Sequence, residues 1–266
     1  MSERHISTEL HNGVLTITFD RPKIGNALSL LMVQQISHEL MQAEEDDSVR
    51  VLVFRGAGKH FCAGGDIKDM ASARQKKSDA GDPIAVLNRS FGTLITRVQN
   101  FPKPVVMVVR GAAMGGGFGL VCVGDVILAD ETAKFRLPET GLGLPPAQIA
   151  PFLVSRLGLS KARRLALTGA SLKSHEAVDV GLIDECVPTD ELESRLQEIL
   201  ISILRCAPKA SAITKKILLN VGNVEHDILL DNAAQSFADC ARGKEGIEGM
   251  MAFLQKRAPA WAVEES

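Results

Sequence analysis

The rhythm of apolar positions changes along the chain, and each change marks an element. Residues 5–10 and 14–19 read as two extended segments flanking Asn12-Gly13, a dipeptide suited to a tight hairpin turn, so the chain is expected to open with two paired strands. Leu30, Val33, Ile36, Leu40 and Met41 then recur at helical spacing behind Ser29, a good capping residue, and Asp46-Asp47 closes that helix. A strand over 49–55 follows. The polar stretch 74–82 has no apolar period and reads as a mobile surface loop. A helix starting near Pro83 is expected to bury Ile84, Leu87, Phe91, Leu94, Ile95 and Val98, and the two prolines in 101–104 break it. Strands over 105–109 and 125–129 and a short extended piece at 134–137 come next. From Pro146 onward the strand signals stop, and helical patterns run through 149–157, 160–168, 174–180, 191–206, 208–219, 226–240 and 244–256. The alternation predicts an α/β fold with a largely parallel, helix-covered sheet, followed by a helical layer.

Two glycine runs interrupt this pattern, each after a strand. Gly115-Gly116-Gly117-Phe118-Gly119 has almost no side chains, and Cys62-Ala63-Gly64-Gly65-Asp66 follows the 49–55 strand. Glycines let another molecule come close to the backbone. Where such a run turns a strand into a helix, the first helical N–H groups lack internal partners and face outward at the positive end of the dipole. Two donors from two such loops can grip one oxygen as charge develops on it, and losing one of them typically costs about a hundredfold to a thousandfold in rate. The loose recurrence of strand, glycine loop and helix at 49–70 and 105–123 places both loops at one edge if the turns stack.

Composition narrows the partner. The 30 basic and 32 acidic residues leave a net charge of −2 with no long basic run, which favours a small-molecule ligand over a nucleic acid or an anionic membrane. At 266 residues and 45% hydrophobic, the chain can build a substantial core. Five scattered cysteines without C-x-x-C spacing indicate neither a disulfide framework nor a zinc site, and a reduced, cytoplasmic setting is expected. The polar start and the shortness of the apolar runs give no signal peptide or membrane span.

Most catalytic motifs are absent. Gly56-Ala57-Gly58-Lys59 fails as a phosphate loop, because Val53 occupies the first glycine position and His60 follows the lysine. The 115–119 run lacks dinucleotide-binding spacing, and there is neither a G-x-S-x-G elbow nor an H-E-x-x-H zinc pattern. His60 reads as loop structure, and Cys62 and Cys122 as buried small residues. The acid/base candidate is Glu139, between Pro138 and the apolar, glycine-containing segment 140–146, where desolvation would raise its pKa toward the range useful for proton transfer.

Taken together, the two loops, the spacing from Gly116 to Glu139 and the ending Glu248-Gly249-Met250-Met251-Ala252-Phe253-Leu254-Gln255-Lys256-Arg257 resemble the crotonase superfamily of enoyl-CoA hydratases and isomerases. The resemblance covers essentially the whole chain. It implies a crotonase-like spiral of stacked β-β-α turns forming a catalytic core over 1–200, and a C-terminal helical region over 201–266 that builds homotrimers, often dimers of trimers. It further implies that the N–H groups of Gly65 and Gly116 hold the thioester oxygen of an acyl-CoA, with Glu139 as the acid/base. Contacts to CoA carry over to Lys23, Ile24, Ala63, Asp66, Ile67 and Lys68, with Phe253 and Lys256 approaching from the C-terminal region. No metal or redox cofactor is implied, CoA being part of the substrate.

One position departs from the pattern. Two-glutamate hydratases of the family carry a first carboxylate three residues after the middle glycine, where this chain has Gly119. A single carboxylate suits a double-bond isomerase. Yet Gly115-Gly116-Gly117-Phe118-Gly119, Leu144-Pro145-Pro146-Ala147-Gln148-Ile149-Ala150-Pro151-Phe152 and Ala258-Pro259-Ala260-Trp261 resemble the isohexenylglutaconyl-CoA hydratase branch, whose substrate brings its own carboxylate to the space that Gly119 is expected to leave. Hydration of an α,β-unsaturated acyl-CoA is therefore the leading expectation; a Δ3,Δ2-enoyl-CoA isomerase or a catalytically weak acyl-CoA-binding protein are the alternatives.

Overall fold

In the computed structural model, which describes residues 3–75 and 81–262, the chain begins with a hairpin. Strands β1 (Ile6–His11) and β2 (Val14–Phe19) pair antiparallel across Asn12 and Gly13, whose φ values of 48° and 81° are those that the Asn-Gly turn requires. Helix α1 (Leu30–Glu45) starts where the Ser29 hydroxyl accepts a bond from the Met32 N–H at 3.0 Å. Then follow β3 (Val51–Gly56), α2 (Ile67–Gln75), α3 (Pro83–Gln99), β4 (Val105–Val109), β5 (Ala112–Met114), α4 (Gly116–Cys122), β6 (Val126–Asp130) and β7 (Lys134–Arg136). The second half carries α5 (Ala150–Thr168), β8 (Ser171–Lys173), α6 (Ser174–Val180), β9 (Glu185–Val187), α7 (Leu192–Leu204), α8 (Pro208–Leu219), α9 (His226–Arg242) and α10 (Lys244–Leu254).

The main sheet runs β1-β2-β3-β4-β6-β9, parallel throughout except for the opening hairpin, as expected for an α/β chain. A smaller sheet, β5-β7-β8, lies after it. Because parallel strands are covered on both faces, β3 and β4 are buried along nearly their whole length and alternate residues serve two cores. Leu52, Phe54, Met107 and Val109 join the large cluster with α1, α3, α4 and α5. Val51, Val53, Val106 and Val108 pack instead against Leu196, Ile199, Leu200 and Leu204 of α7, a helix that runs through residue 200 without interruption.

Several expectations are corrected. The strands do not stop at Pro146: β8 and β9 are three residues each, too short to show a period, and they form only because the edges of two sheets are waiting for them. In α1 the buried stripe includes Met32, while Met41 is 49% exposed. In α3, Ile84 is 41% exposed and Leu87 and Phe91 are only half-buried, so burial sets in with Gly92, Leu94, Ile95 and Val98, where the helix meets the sheet layer. Gly158, at φ 74°, breaks α5 between the two helical patterns read at 149–157 and 160–168. The expected loop over 74–82 begins inside α2, and its 76–80 part lies outside the described residues. No helix among the described residues is long and apolar enough to cross a membrane.

Candidate active site

Successive turns of the chain stack as rungs, and the rungs carry the glycine runs. Phe61 and Cys62 donate N–H bonds to the Arg110 and Ala112 carbonyls at 2.8 and 2.9 Å, and the Met114 N–H returns one to the Cys62 carbonyl at 2.9 Å. The next rung joins through the Gly115 N–H, donated to the Arg136 carbonyl at 3.0 Å. Closeness of this order needs glycine. A Cβ on Gly117 would stand 2.6 Å from the Cys62 carbonyl oxygen, and Gly64 and Gly115 hold positive φ values of 109° and 50°.

Stacking leaves two backbone donors free on neighbouring rungs. Residue 65 forms a parallel bridge with Leu28 in which the Leu28 N–H bonds the Gly64 carbonyl and the Asp66 N–H bonds the Leu28 carbonyl, 2.8 and 2.9 Å. In that geometry the N–H of Gly65 points away from Leu28, and among the described residues it has no acceptor. Gly116 is the first residue of α4, so its N–H has no acceptor within the helix. Gly65 is exposed and Gly116 half-buried, which makes both reachable from outside.

Glu139 closes the third side. Pro138 ends the β7 rung, and Glu139–Leu142 make a 3-10 turn fastened by the Leu144 N–H to the Glu139 carbonyl at 3.0 Å and by the Thr140 hydroxyl to the Ala166 carbonyl at 2.8 Å. This aims the carboxylate back at the glycines. Glu139 Oε1 lies 2.8 Å from the point where a Gly115 Cβ would stand, and the Gly64 Cα lies 3.6 Å from that same point. Oε2 is buried and has no hydrogen-bond partner among the described residues. Burial pushes the Glu139 pKa above its ordinary value of 4.5, a bond from its own backbone N–H opposing only in part. A desolvated carboxylate beside two unclaimed N–H donors can move a proton at a carbon next to an oxygen that those donors hold.

The space beyond Gly119 is not open. A Cβ there would come within 3.0 Å of Ile149 Cγ1 and 3.3 Å of Phe91 Cζ, and one on Gly116 would meet Leu28 Cδ1 at 2.8 Å. The expected room for a substrate carboxylate at Gly119 is thus taken up by an apolar wall of Phe91 and Ile149, with Leu28 closing in beside Gly116. Phe91 and Ile149 escaped the sequence reading as site residues, although Gly92, a glycine inside a helical pattern, signals that something approaches α3 closely.

The remaining candidates separate into two groups. Lys23 and Ile24 sit in a short 3-10 turn, and the Ala63 N–H bonds the carbonyl of Gly25, just after it, at 2.8 Å, so Lys23, Ile24, Ala63, Ile67 and Lys68 share one exposed rim leading to Gly65. Asp66 is 8% exposed and already engaged: Arg21 Nη1 pairs with Oδ2 at 2.8 Å and the Lys68 N–H bonds Oδ1 at 2.9 Å. Burial works against its charge, yet these donors hold its carboxyl below the ordinary range. Phe253, 84% exposed, and Lys256 lie at the end of α10, whose packing partner is α9. His60 is loop structure, its Nδ1 accepting the Ala112 N–H at 3.1 Å, and burial pushes the Cys62 and Cys122 thiols up to about 12. Among the described residues no three His, Cys, Asp or Glu side chains gather as metal ligands.

This geometry, stacked rungs that present paired glycine donors to a half-buried glutamate, can be set against known proteins. The family model described as enoyl-CoA hydratase/isomerase matches residues 9–264. The chain belongs to the enoyl-CoA hydratase/isomerase family. It is therefore an enzyme of the crotonase superfamily that takes an acyl-CoA thioester. Among solved structures it resembles an enoyl-CoA hydratase/isomerase from Marinobacter aquaeolei, 49% identical with a TM-score of 0.95, covering 97% of this chain and 99% of that one. AtuE of Pseudomonas aeruginosa is 50% identical with a TM-score of 0.94 over 98% and 100% of the two chains. The 2,3-dehydroadipyl-CoA hydratase of Escherichia coli strain K12 is 35% identical over 97% of this chain and 98% of its own length.

Proposed function

We propose that this enzyme adds water across the α,β double bond of an enoyl-CoA whose acyl chain is branched and carries a carboxylate of its own, a glutaconyl-type thioester. The N–H groups of Gly65 and Gly116 form the oxyanion hole. As water oxygen bonds to the β carbon, electrons of the double bond move toward the thioester oxygen, and the two donors bind that enolate more tightly than the neutral carbonyl. Glu139, ionised, takes the proton from the water and delivers it to the α carbon, which regenerates the carboxylate and leaves a 3-hydroxyacyl-CoA. No metal or redox cofactor enters this scheme. Lys23, Ile24, Ala63, Ile67 and Lys68 hold the CoA portion, assisted by Phe253 and Lys256, while Asp66 braces the loop through Arg21. The chain acts as a homotrimer or a dimer of trimers.

The observation that carries this reading is the carboxylate of Glu139, poised over Gly115 with a buried Oε2 that has no partner among the described residues. The carboxylate on the acyl chain is supported by the resemblance to the isohexenylglutaconyl-CoA hydratase branch and by a relative named for dehydroadipyl-CoA, another dicarboxylic acyl group. An isomerase is the second reading, because Gly119 leaves one glutamate to shuttle a proton between carbons. Incubation with straight-chain and branched glutaconyl-type enoyl-CoAs in oxygen-18 water separates the two by mass spectrometry. A hydroxyacyl-CoA carrying the label is expected. A shifted double bond with no added water would replace the hydratase with an isomerase.

A further inference from the structure

The apolar wall at Gly119 ends at a polar pair that the chemistry above leaves unused. Gln148 precedes Ile149 of that wall, and Gly92 follows Phe91. A Cβ on Gly92 would fall 1.9 Å from Gln148 Oε1 and 3.0 Å from Arg89 Nη1, so glycine at this position of α3 reserves space in which the Gln148 carboxamide and the Arg89 guanidinium converge. Gly92 itself is buried, and a glycine inside a helix costs about 1 kcal/mol relative to alanine, a cost that needs a reason. Among the described residues neither side chain makes a hydrogen bond, and Arg89 has no ion-pair partner. Both are unclaimed among the described residues: the arginine fork supplies the paired N–H donors that a carboxylate requires, and the Gln148 amide adds another once turned to present its NH2 in place of Oε1.

We infer that Arg89 and Gln148 form the subsite for a carboxylate at the far end of the acyl chain and so select dicarboxylic over monocarboxylic thioesters. This rests on the proposed function for the direction in which the acyl chain runs. With its thioester oxygen on Gly65 and Gly116, a chain running along the outer side of the Phe91 and Ile149 wall approaches the residues adjoining both. Arg89 is exposed and its side chain makes no bond among the described residues, so its replacement is expected to leave the fold intact.

Saturated thioesters test this without turnover. Calorimetric titration of the full-length protein with glutaryl-CoA and with pentanoyl-CoA, which has the same chain length without the carboxylate, is expected to show the wild type favouring glutaryl-CoA. Arg89→Met should weaken glutaryl-CoA binding about tenfold to a hundredfold, the range for losing a hydrogen bond to a charged group, and leave pentanoyl-CoA binding unchanged. Arg89→Lys should restore part of the preference, and Gln148→Leu should reduce it in the same direction. An equal loss for both thioesters would place Arg89 on the CoA portion and overturn the subsite, as would no loss for either. Hydration of glutaconyl-CoA and pent-2-enoyl-CoA by the wild type is followed separately: absence of water addition to both overturns the hydratase and leaves the binding preference to stand or fall by itself.

Discussion

Glu139 is costly to the fold at neutral pH. Its pKa is raised in the folded chain by burial, so the folded state holds the proton at pH values where the unfolded chain has released it. Stability contributed by this group is therefore present below the unfolded value of 4.5 and is lost as pH rises through the folded pKa. Glu139→Gln removes the ionisation. The variant should unfold at a higher temperature than the wild type at pH 8, with the gap narrowing as pH falls toward 4.5; thermal scans across that range check it, and a gap independent of pH would contradict it. The same shift bears on catalysis, since the base must be ionised: kcat/KM should fall on the acid side with an apparent pKa above that of an ordinary glutamate.

Among the elements, spacing between rungs matters more than any single strand. Gly117 packs its Cα against Cys62, and a Cβ there would meet the Cys62 carbonyl oxygen at 2.6 Å and Cys62 Cβ at 2.7 Å, both held by the rung's own bonds. Gly117→Ala should push the two glycine loops apart, destabilising the protein by about 1–3 kcal/mol, the usual range for overpacking, and lowering kcat. A Cβ on Gly65 meets nothing within 4 Å, and its φ is not in the left-handed region. Gly65→Ala should keep both the melting temperature and the rate near wild type, because the donor N–H survives. Denaturant unfolding and steady-state kinetics on the pair test whether backbone placement, rather than glycine content, builds the site. These glycines and Glu139 were legible in the sequence because a run without side chains after an apolar strand buries little and weakens a helix, so it persists only where a backbone or a ligand must come close. The wall at Gly119 was not, since Phe91 and Ile149 come from helices distant in sequence and each reads locally as core. Nor were β8 and β9, whose pairing is decided by the sheet edges they meet and not by their own three residues.

For the whole molecule, the described C-terminal helices bury few of their own apolar side chains. Helices α8 and α9 contain no buried residue and α10 only Ala252, while Leu218, Ile228, Leu230, Phe237, Met250 and Phe253 are each more than half exposed. So much apolar surface on consecutive helices marks an interaction face, and the proposed trimer would cover it with other copies of the chain. Light scattering on the eluting protein should give three or six times the 28.6 kDa of one chain. Phe237→Asp, at a 77% exposed position, should lower that mass; a monomeric wild type would show that the face serves something else.

The central claim, that the half-buried carboxylate of Glu139 moves the proton while the glycine donors hold the thioester, is tested most directly by turnover and binding measured together on Glu139→Gln. With the enoyl-CoA that the wild type hydrates fastest, kcat should drop by at least about a hundredfold, the low end of what a positioned acid/base contributes, while the affinity for a saturated acyl-CoA stays within a few-fold. A Glu139→Gln enzyme with unchanged kcat would remove Glu139 from the chemistry and contradict the mechanism.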